Sequence, residues 1–600
     1  MTACTSAVDR RLIAAFIGTA LVTFSVALHV SFPNMGGSGL RLPFNAAVAM
    51  GMALMTALAL WPAAHGCIRI SGFQRGLWLM VALLWLPLAW SWDATAVSAL
   101  PRLIGLTTGA LLLLGLEQLA FERRHWVALL FAIYFGTLLE ATLAWFQYTL
   151  LEPGNWMGFD PAYGRPWGIF QQSNVLASFL VTGLAISAWL MGEASRRWLR
   201  VTALLAPLSM PAMLLVLVSR IGWLASLVVI VLSIAHLLGR ERRVAYAWTL
   251  ALLTGCAIAL ALWLATDDLA RSSETLGNTG ARTQVYMHAL RMILEAPLSG
   301  WGYGDFQYAF IHSFADWRSA HPDNGSAISG SFDHPHNELL LWGVEGGLLP
   351  MLALAGMALW VAWRLWRHGP HGERLMLMAL LAPLALHAMT EYPFYHSLTH
   401  WLVFVLLLGL LVSRSWPARE RANRYTFGIR VGAWLGVPLV WLFMITHLYS
   451  LWQVSAYLQS GGREVQRLTR VINPLGIPET LDFMLMTQQL DAAAGLGMQD
   501  QVRDYLAWAE RTAHHYPTPA LYANRIEAWR ILGDEAQAEA MLAKAEYLYP
   551  NDRVIAAAAR RLNASSKAPA TFALEPSPPG AASDADSDIE SGTSTVYQAP

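Results

Sequence analysis

The chain has 600 residues, of which 56% are hydrophobic and 13% charged, and its mean hydropathy is +0.41. An average soluble protein is about 25% charged, so the bulk of this chain must be solvated by a bilayer. The formal net charge of +0 argues against nucleic acid as a partner, because that binding rests on clustered positive charge.

Windows of about 20 apolar residues can cross the hydrocarbon core as helices. Thirteen such windows occur, at 12–32, 44–64, 77–92, 100–120, 126–150, 169–191, 199–218, 220–238, 246–266, 338–363, 375–391, 398–413 and 431–451. The third is short. The seventh and eighth are separated by little more than Ser219 and Arg220, so they must form a tight helical hairpin. No cleavage-site pattern follows the first, which reads as an uncleaved span. The expected fold class is all-α, a polytopic helical membrane protein.

Orientation follows from the basic residues, which number 38 arginines and two lysines. They cluster in alternate connections: Arg10 and Arg11, Arg69 and Arg75, Arg123 and Arg124, Arg196 to Arg200, Arg240 to Arg243, Arg364 to Arg374, and Arg414 to Arg430. The intervening short connections carry one arginine each or none: Arg41, Arg102, Arg165 and Arg220. By the positive-inside rule, the N-terminus is cytoplasmic. The loop 267–337 and everything after 451 then lie outside. The chain divides into N-terminal spans (1–266), this large loop (267–337), C-terminal spans (338–451), a helical domain (452–563) and a tail (564–600). Neither outer segment contains cysteine, and the three cysteines of the chain make neither a disulfide framework nor a thiolate zinc site. Within 452–563, the stretch 520–550 reads as two helices about Gly533-Asp534, like one tetratricopeptide unit. The tail is rich in Ser, Pro, Ala and Asp and reads as disordered. Its Asp584, Asp586 and Asp588 fail as a calcium loop because Ile589 stands where glycine is needed.

The residues capable of chemistry gather at the outer ends of helices, not at mid-span, where Glu140 and His387 are the main polar groups. Gly164 to Asn174 contains Arg165, Gln171 and Asn174 beside Trp167 and Phe170. Amides with aromatic rings suit a sugar, although a loop with a helix cap explains them too. Arg220 either snorkels to headgroups or aims its fork at a phosphate. Arg282 begins an amphipathic helix that also carries Tyr286 and Arg291. It leads to Gly300-Trp301-Gly302-Tyr303-Gly304, expected to be a tight turn where backbone approaches a ligand. Asp333-His334-Pro335-His336-Asn337-Glu338 admits a metal site, a structural loop histidine, or a histidine acting as general base. Last come His387, Glu391, Tyr392, Tyr395, His400 and Trp401, which suit a positioning role.

The order Arg-Pro-x-Gly-x-Phe-x-Gln-x-Asn, Ser-Arg-x-Gly, Gly-Trp-Gly-x-Gly, His-x-His-Asn-Glu and Glu-Gly-Gly resembles the O-antigen ligase and polymerase superfamily of bacterial inner membranes. Glu391-Tyr392-Pro393-Phe394-Tyr395 and the domain after the last span are most similar to its PglL-type protein O-oligosaccharyltransferases. Pro350 departs from the ligase pattern and is read as a detail of the helix start. The resemblance implies transfer of a preassembled oligosaccharide from an undecaprenyl-diphosphate carrier to a Ser or Thr hydroxyl of a periplasmic acceptor such as pilin. It implies neither cofactor nor metal. It also implies His336 as the essential loop histidine, Arg220 and Arg282 near the diphosphate, and Gln171 and Asn174 on the substrate side. Arg165, Arg291, His334, Asn337, Glu338, Glu391 and Tyr395 complete the expected binding set. An O-antigen ligase acting on lipid A-core, a polymerase, and a multispan transporter are the alternatives.

Overall fold

The computed structural model describes residues 9–92, 95–265, 280–321 and 332–565. The tail and its three aspartates fall outside the described residues. The protein is an all-α polytopic membrane protein, with 12 helical segments long and apolar enough to span a bilayer among the described residues. A shorter apolar helix, Arg374–Ala388, stands where a further span is expected. The seventh span is broken into Arg197–Ala203 and Leu205–Val216. Helix Ser173–Glu193 lies at the centre, buried on nearly all sides, which explains why its sequence is apolar all round instead of amphipathic.

The connections sort onto two faces. On the arginine-rich face, Cys67–Ile70 and Arg419–Ala422 form a two-stranded antiparallel ribbon, with Arg69 opposite Glu420. Cys67 is disulfide-bonded, a crosslink that the cysteine count did not anticipate. Glu193 bridges two further connections on this face, pairing with Arg123 at 2.6 Å and with Arg240. Arg414 lies 3.7 Å from Glu373. On the opposite face, Asn45 donates to the carbonyl of His396 (2.8 Å), and the His396 ring meets the carbonyl of Phe170 at 2.6 Å.

The last five helices described, Pro478–Leu496, Gln499–Thr512, Pro519–Ile531, Glu535–Leu548 and Arg553–Ser565, follow one another through short turns. Gly533 turns at φ +75°, and Asp534 caps the next helix by accepting from Gln537 N (3.1 Å). This domain rests on helix Phe306–Ala320 of the large loop. Ile311 and Ala315 pack against Tyr522, Ile526 and Leu548, and the Tyr547 hydroxyl donates to Asp316 (2.8 Å). Loop and domain therefore occupy the same face.

Two expectations are corrected. The span expected over 338–363 is two helices: Glu338–Gly346, buried, and the spanning helix Leu348–His368. Gly347 breaks them with φ +78° and ψ −167°, a region open essentially to glycine alone. Pro350 sits in the first turn of the second helix, where its missing N–H costs nothing. The glycine-rich turn also approaches something other than a ligand. Trp301 N donates to Val344 O (2.8 Å), Gly302 N to Glu345 O (3.0 Å), and Leu348 N to Pro297 O (2.8 Å). A Cβ on Gly300 would collide with Glu345 O, and one on Gly347 would come within 2.8 Å of Pro297 O. The glycines let the two backbones clip together.

Single cysteines at the exposed Arg421 and Asp500, in a background with Cys4, Cys67 and Cys256 replaced by serine, should react with an impermeant thiol reagent from opposite sides of sealed vesicles. Reaction of both from one side would contradict the sorting of the two faces.

Candidate functional site

The face that carries the large loop is organised around one carboxylate. Helix Arg374–Ala388 ends near Met389, and the Glu391 side chain folds back on His387 one turn earlier. Its oxygens accept from Gln172 Nε2 (2.9 Å), Asn174 Nδ2 (2.7 Å), Arg282 Nη2 (3.1 Å) and His387 Nε2 (2.9 Å). The side chain is 2% exposed. Burial alone would raise its pKa. The His387 hydrogen bond and the charge of Arg282 more than offset that and hold it well below the usual carboxylate range. On its other side, His387 Nδ1 lies 2.8 Å from the Ser178 hydroxyl. Ser178 Oγ lies 3.2 Å from His400 Nε2, and His400 Nδ1 lies 2.9 Å from Ser397 Oγ. A buried chain of polar groups thus fixes Glu391 from beneath.

The histidine loop is clamped onto the same segment. The Tyr286 hydroxyl bonds to the carbonyl of His336 (2.8 Å) and to that of Met389 (3.3 Å). Asn337 donates to Met389 O (2.8 Å), while its oxygen caps helix Glu338–Gly346 through Leu340 N (3.1 Å). His336 is buried, with φ +53°. His334 stands beside it, ring centroids 4.4 Å apart, and pairs with Asp333 Oδ1 through Nδ1 at 2.5 Å. Burial, then the charges of His334 and Arg282, push the His336 imidazole well below its ordinary range. It is therefore neutral at pH 7 and can accept a proton. Left-handed backbone at a non-glycine residue costs about 1–3 kcal/mol. Of five such residues among those described, Gln171 and His336 lie within motif segments and Val218 immediately precedes Ser219-Arg220.

A second pole lies beside this one. Arg102 pairs with Glu345, donates to the Tyr395 hydroxyl (3.3 Å), and lies over the edge-to-face pair of Tyr303 and Trp342, 4.7 and 4.5 Å from their ring centroids. Glu338 is within its field. Burial, only partly offset by Arg102, pushes the Glu338 carboxyl up to about 8.

The structure brings together Asn174, Arg282, His334, His336, Asn337, Glu338, Glu391 and Tyr395; at the expected Gln171, it is the neighbouring Gln172 whose amide reaches Glu391. Arg220 is the first residue of helix Arg220–Arg240, behind the Ser219 cap. At Gly222 this helix packs so closely on Ala177 that an added Cβ would lie 2.9 Å from the alanine methyl, about one helical turn beyond Asn174. Arg165 stays with Tyr163, donating to its hydroxyl (3.1 Å). Arg291 does not join the cluster. It lies over Trp317, 4.7 Å from the ring centroid. Nine residues after Arg282, it falls on the opposite face of the same helix, since 100° per residue returns half a turn. Three participants were not foreseen. In the sequence Arg102 reads as an ordinary lone arginine, although its place two residues into an apolar helix is a signal. Gln172 and Ser178 gave no signal beyond polarity. Glu140 is a support: it accepts from Ile169 N (3.0 Å) and holds the 166–170 loop.

Three family models match consecutive parts of the chain: "Protein glycosylation ligase" over residues 166–191, "O-Antigen ligase" over 205–355, and "Virulence factor membrane-bound polymerase, C-terminal" over 375–563. No curated protein matches the chain at a significant level. Every residue of the cluster falls within a matched region; Arg102 and Arg165 do not.

Two outcomes follow. Arg102→Ala leaves Glu345 buried without its cation and should cost about 3–5 kcal/mol, whereas Arg291→Ala removes a half-exposed stacking contact worth about 0.5–1 kcal/mol. Thermal unfolding in detergent should separate them, and equal losses would contradict the placement. Glu338 has a raised folded pKa, so its contribution to stability is present below about 4.5 and lost as pH rises through about 8. Glu338→Gln should abolish that part of the pH dependence, measured as melting temperature against pH. An unchanged slope would contradict a buried neutral carboxyl.

Proposed function

We propose that this chain, which belongs to the superfamily of O-antigen ligases, polymerases and protein glycosylation ligases, transfers a preassembled oligosaccharide from undecaprenyl diphosphate to Ser or Thr hydroxyls of a periplasmic protein such as a pilin. Glycan transfer at a membrane is the general activity of the family. The donor, the protein acceptor, the bacterial inner membrane and a periplasmic site are our reading. The observation that carries it is the neutral, buried His336 beside Arg282 and the Glu391 hub.

In this reading, His336 accepts the proton of the acceptor hydroxyl as its oxygen bonds to the anomeric carbon. The bond from that carbon to the diphosphate oxygen breaks, and the lipid diphosphate departs with the electron pair. Arg282 and Arg220 hold the developing charge, which their planar forks can do bidentately at any working pH. Gln171 and Asn174 line the sugar side. Glu391 keeps Arg282 extended and is the residue from which the guanidinium must partly turn to meet phosphate. Direct displacement inverts the anomeric configuration. The helical domain, seated on the large loop, offers a surface for a protein acceptor, which favours protein over lipid A-core.

The test is transfer from purified lipid-linked oligosaccharide to pilin and to lipid A-core, with both acceptors read by mass spectrometry. Protein glycosylation is expected, and modification of lipid A-core alone would overturn the acceptor. His336→Ala should reduce transfer by about 10²–10⁴ at normal expression, and undiminished transfer would remove it as the base. The acid limb of kcat/KM should fall below the ordinary histidine value of about 6.5, because the free imidazole persists to lower pH. A limb above that value would contradict the assignment.

A further inference from the structure

The route from the last span to the helical domain carries no motif and takes no part in the site, yet it turns back toward the bilayer. Helix Thr426–Gln459 ends, the chain reverses at Gly461 and Gly462 (φ +65° and +77°), and it runs down the flank of the same helix. Buried Asn473 donates from Nδ2 to Phe443 O (2.9 Å) and to the Thr446 hydroxyl (3.1 Å), and its N–H donates to Ser450 Oγ (2.9 Å). The backbone of Gly476 lies against the His447 ring so closely that a Cβ there would collide. At 1.5 Å per residue, these contacts lie roughly 14–24 Å back along the axis from the helix end.

That depth can be placed against the membrane. The helix has 34 residues, about 51 Å, against a hydrocarbon core of about 30 Å. Its exposed large apolar side chains run from Phe427 to Trp452 and stop there. Tyr449 and Trp452, ring centroids 6.3 Å apart, form the aromatic pair that belongs at the headgroup level. Asn473 and Gly476 touch residues 443–450, level with that pair and on its membrane side. Beside them, Ile472 and Leu475 are 63% and 73% exposed. Single exposed apolar residues are ordinary on a protein; depth is what distinguishes these two. Above them, Arg467 stacks on Trp452, 5.5 Å from the ring centroid, and Arg463 and Arg470 are exposed.

We propose that residues 471–476 form a wedge in the outer phospholipid leaflet, with Ile472 and Leu475 among acyl chains and Arg463, Arg467 and Arg470 at the headgroup phosphates. The wedge sets the height of the helical domain above the membrane. It also braces the first outer loop: Phe32 and Met35 pack into the cluster of Leu451, Val454 and Ile477, and His447 Nε2 lies 2.7 Å from Leu40 O. The neighbouring Arg41 acts on Asp333 of the histidine loop. The inference is independent of the glycan-transfer reading.

Hydroxyl-radical footprinting of the full chain in nanodiscs containing phosphatidylglycerol tests it. Leu475 and Leu496 are equally exposed in the protein, at 73% and 70%. Within the wedge, Leu475 and Ile472 should oxidise several-fold more slowly than Leu496, shielded by lipid like Ile445 of the span. Oxidation of Leu475 at the rate of Leu496 would overturn the proposal.

Discussion

The loop-bearing face of this protein depends on the ionised carboxylate of Glu391. A charge buried to this extent is tolerated only when its oxygens are fully engaged, and four donors from three separate parts of the chain supply that: Gln172 and Asn174, Arg282, and His387. The requirement runs both ways. The carboxylate needs the donors, and the donors are thereby brought to one point. The start of a central helix, helix Gly280–Glu295 of the large loop and the end of helix Arg374–Ala388 are pinned together by a group that hydrophobic packing alone would exclude. The histidine loop then docks on the carbonyl of Met389, two residues away.

A second constraint is steric. The large loop must be seated firmly enough to hold His336 in a left-handed conformation, and the seat is backbone against backbone. Gly300 and Gly347 remove the side chains that would separate the 297–302 turn from residues 344–348. Arg102, paired with Glu345 and lying against two aromatic rings, locks that seat to the transmembrane bundle. The helical domain adds a third hold through Tyr547 and Asp316. The loop that carries His336 is thereby rooted at three points.

Much of this was legible in the chain itself. Apolar length identified the spans because a bilayer imposes a fixed thickness, and alternating arginine clusters separated the two faces because charge cannot remain between them. His336, Glu391 and Arg282 stood out as polar residues where helices end. What was not legible was pairing. Arg102 looked like an ordinary connection residue because its partner, Glu345, is 243 positions away. Gln172 lay beside the two polar residues singled out, and only the fold shows that its amide reaches Glu391. Arg291 and Arg282 share a helix, and the face each takes is set by Trp317 and Glu391, which periodicity alone does not reveal. The break at Gly347 was hidden within a continuous apolar run, since hydropathy is blind to a single backbone torsion.

The central claim is that Arg282 and Glu391 work as one unit in the transfer reaction. A double-mutant cycle over Arg282→Ala and Glu391→Ala, read as single-turnover transfer from lipid-linked oligosaccharide, addresses it most directly. The account predicts a coupling of at least about 1 kcal/mol, as found for residues in direct contact within a polar network. Additive effects of the two substitutions, or transfer unaffected by either one, would contradict it.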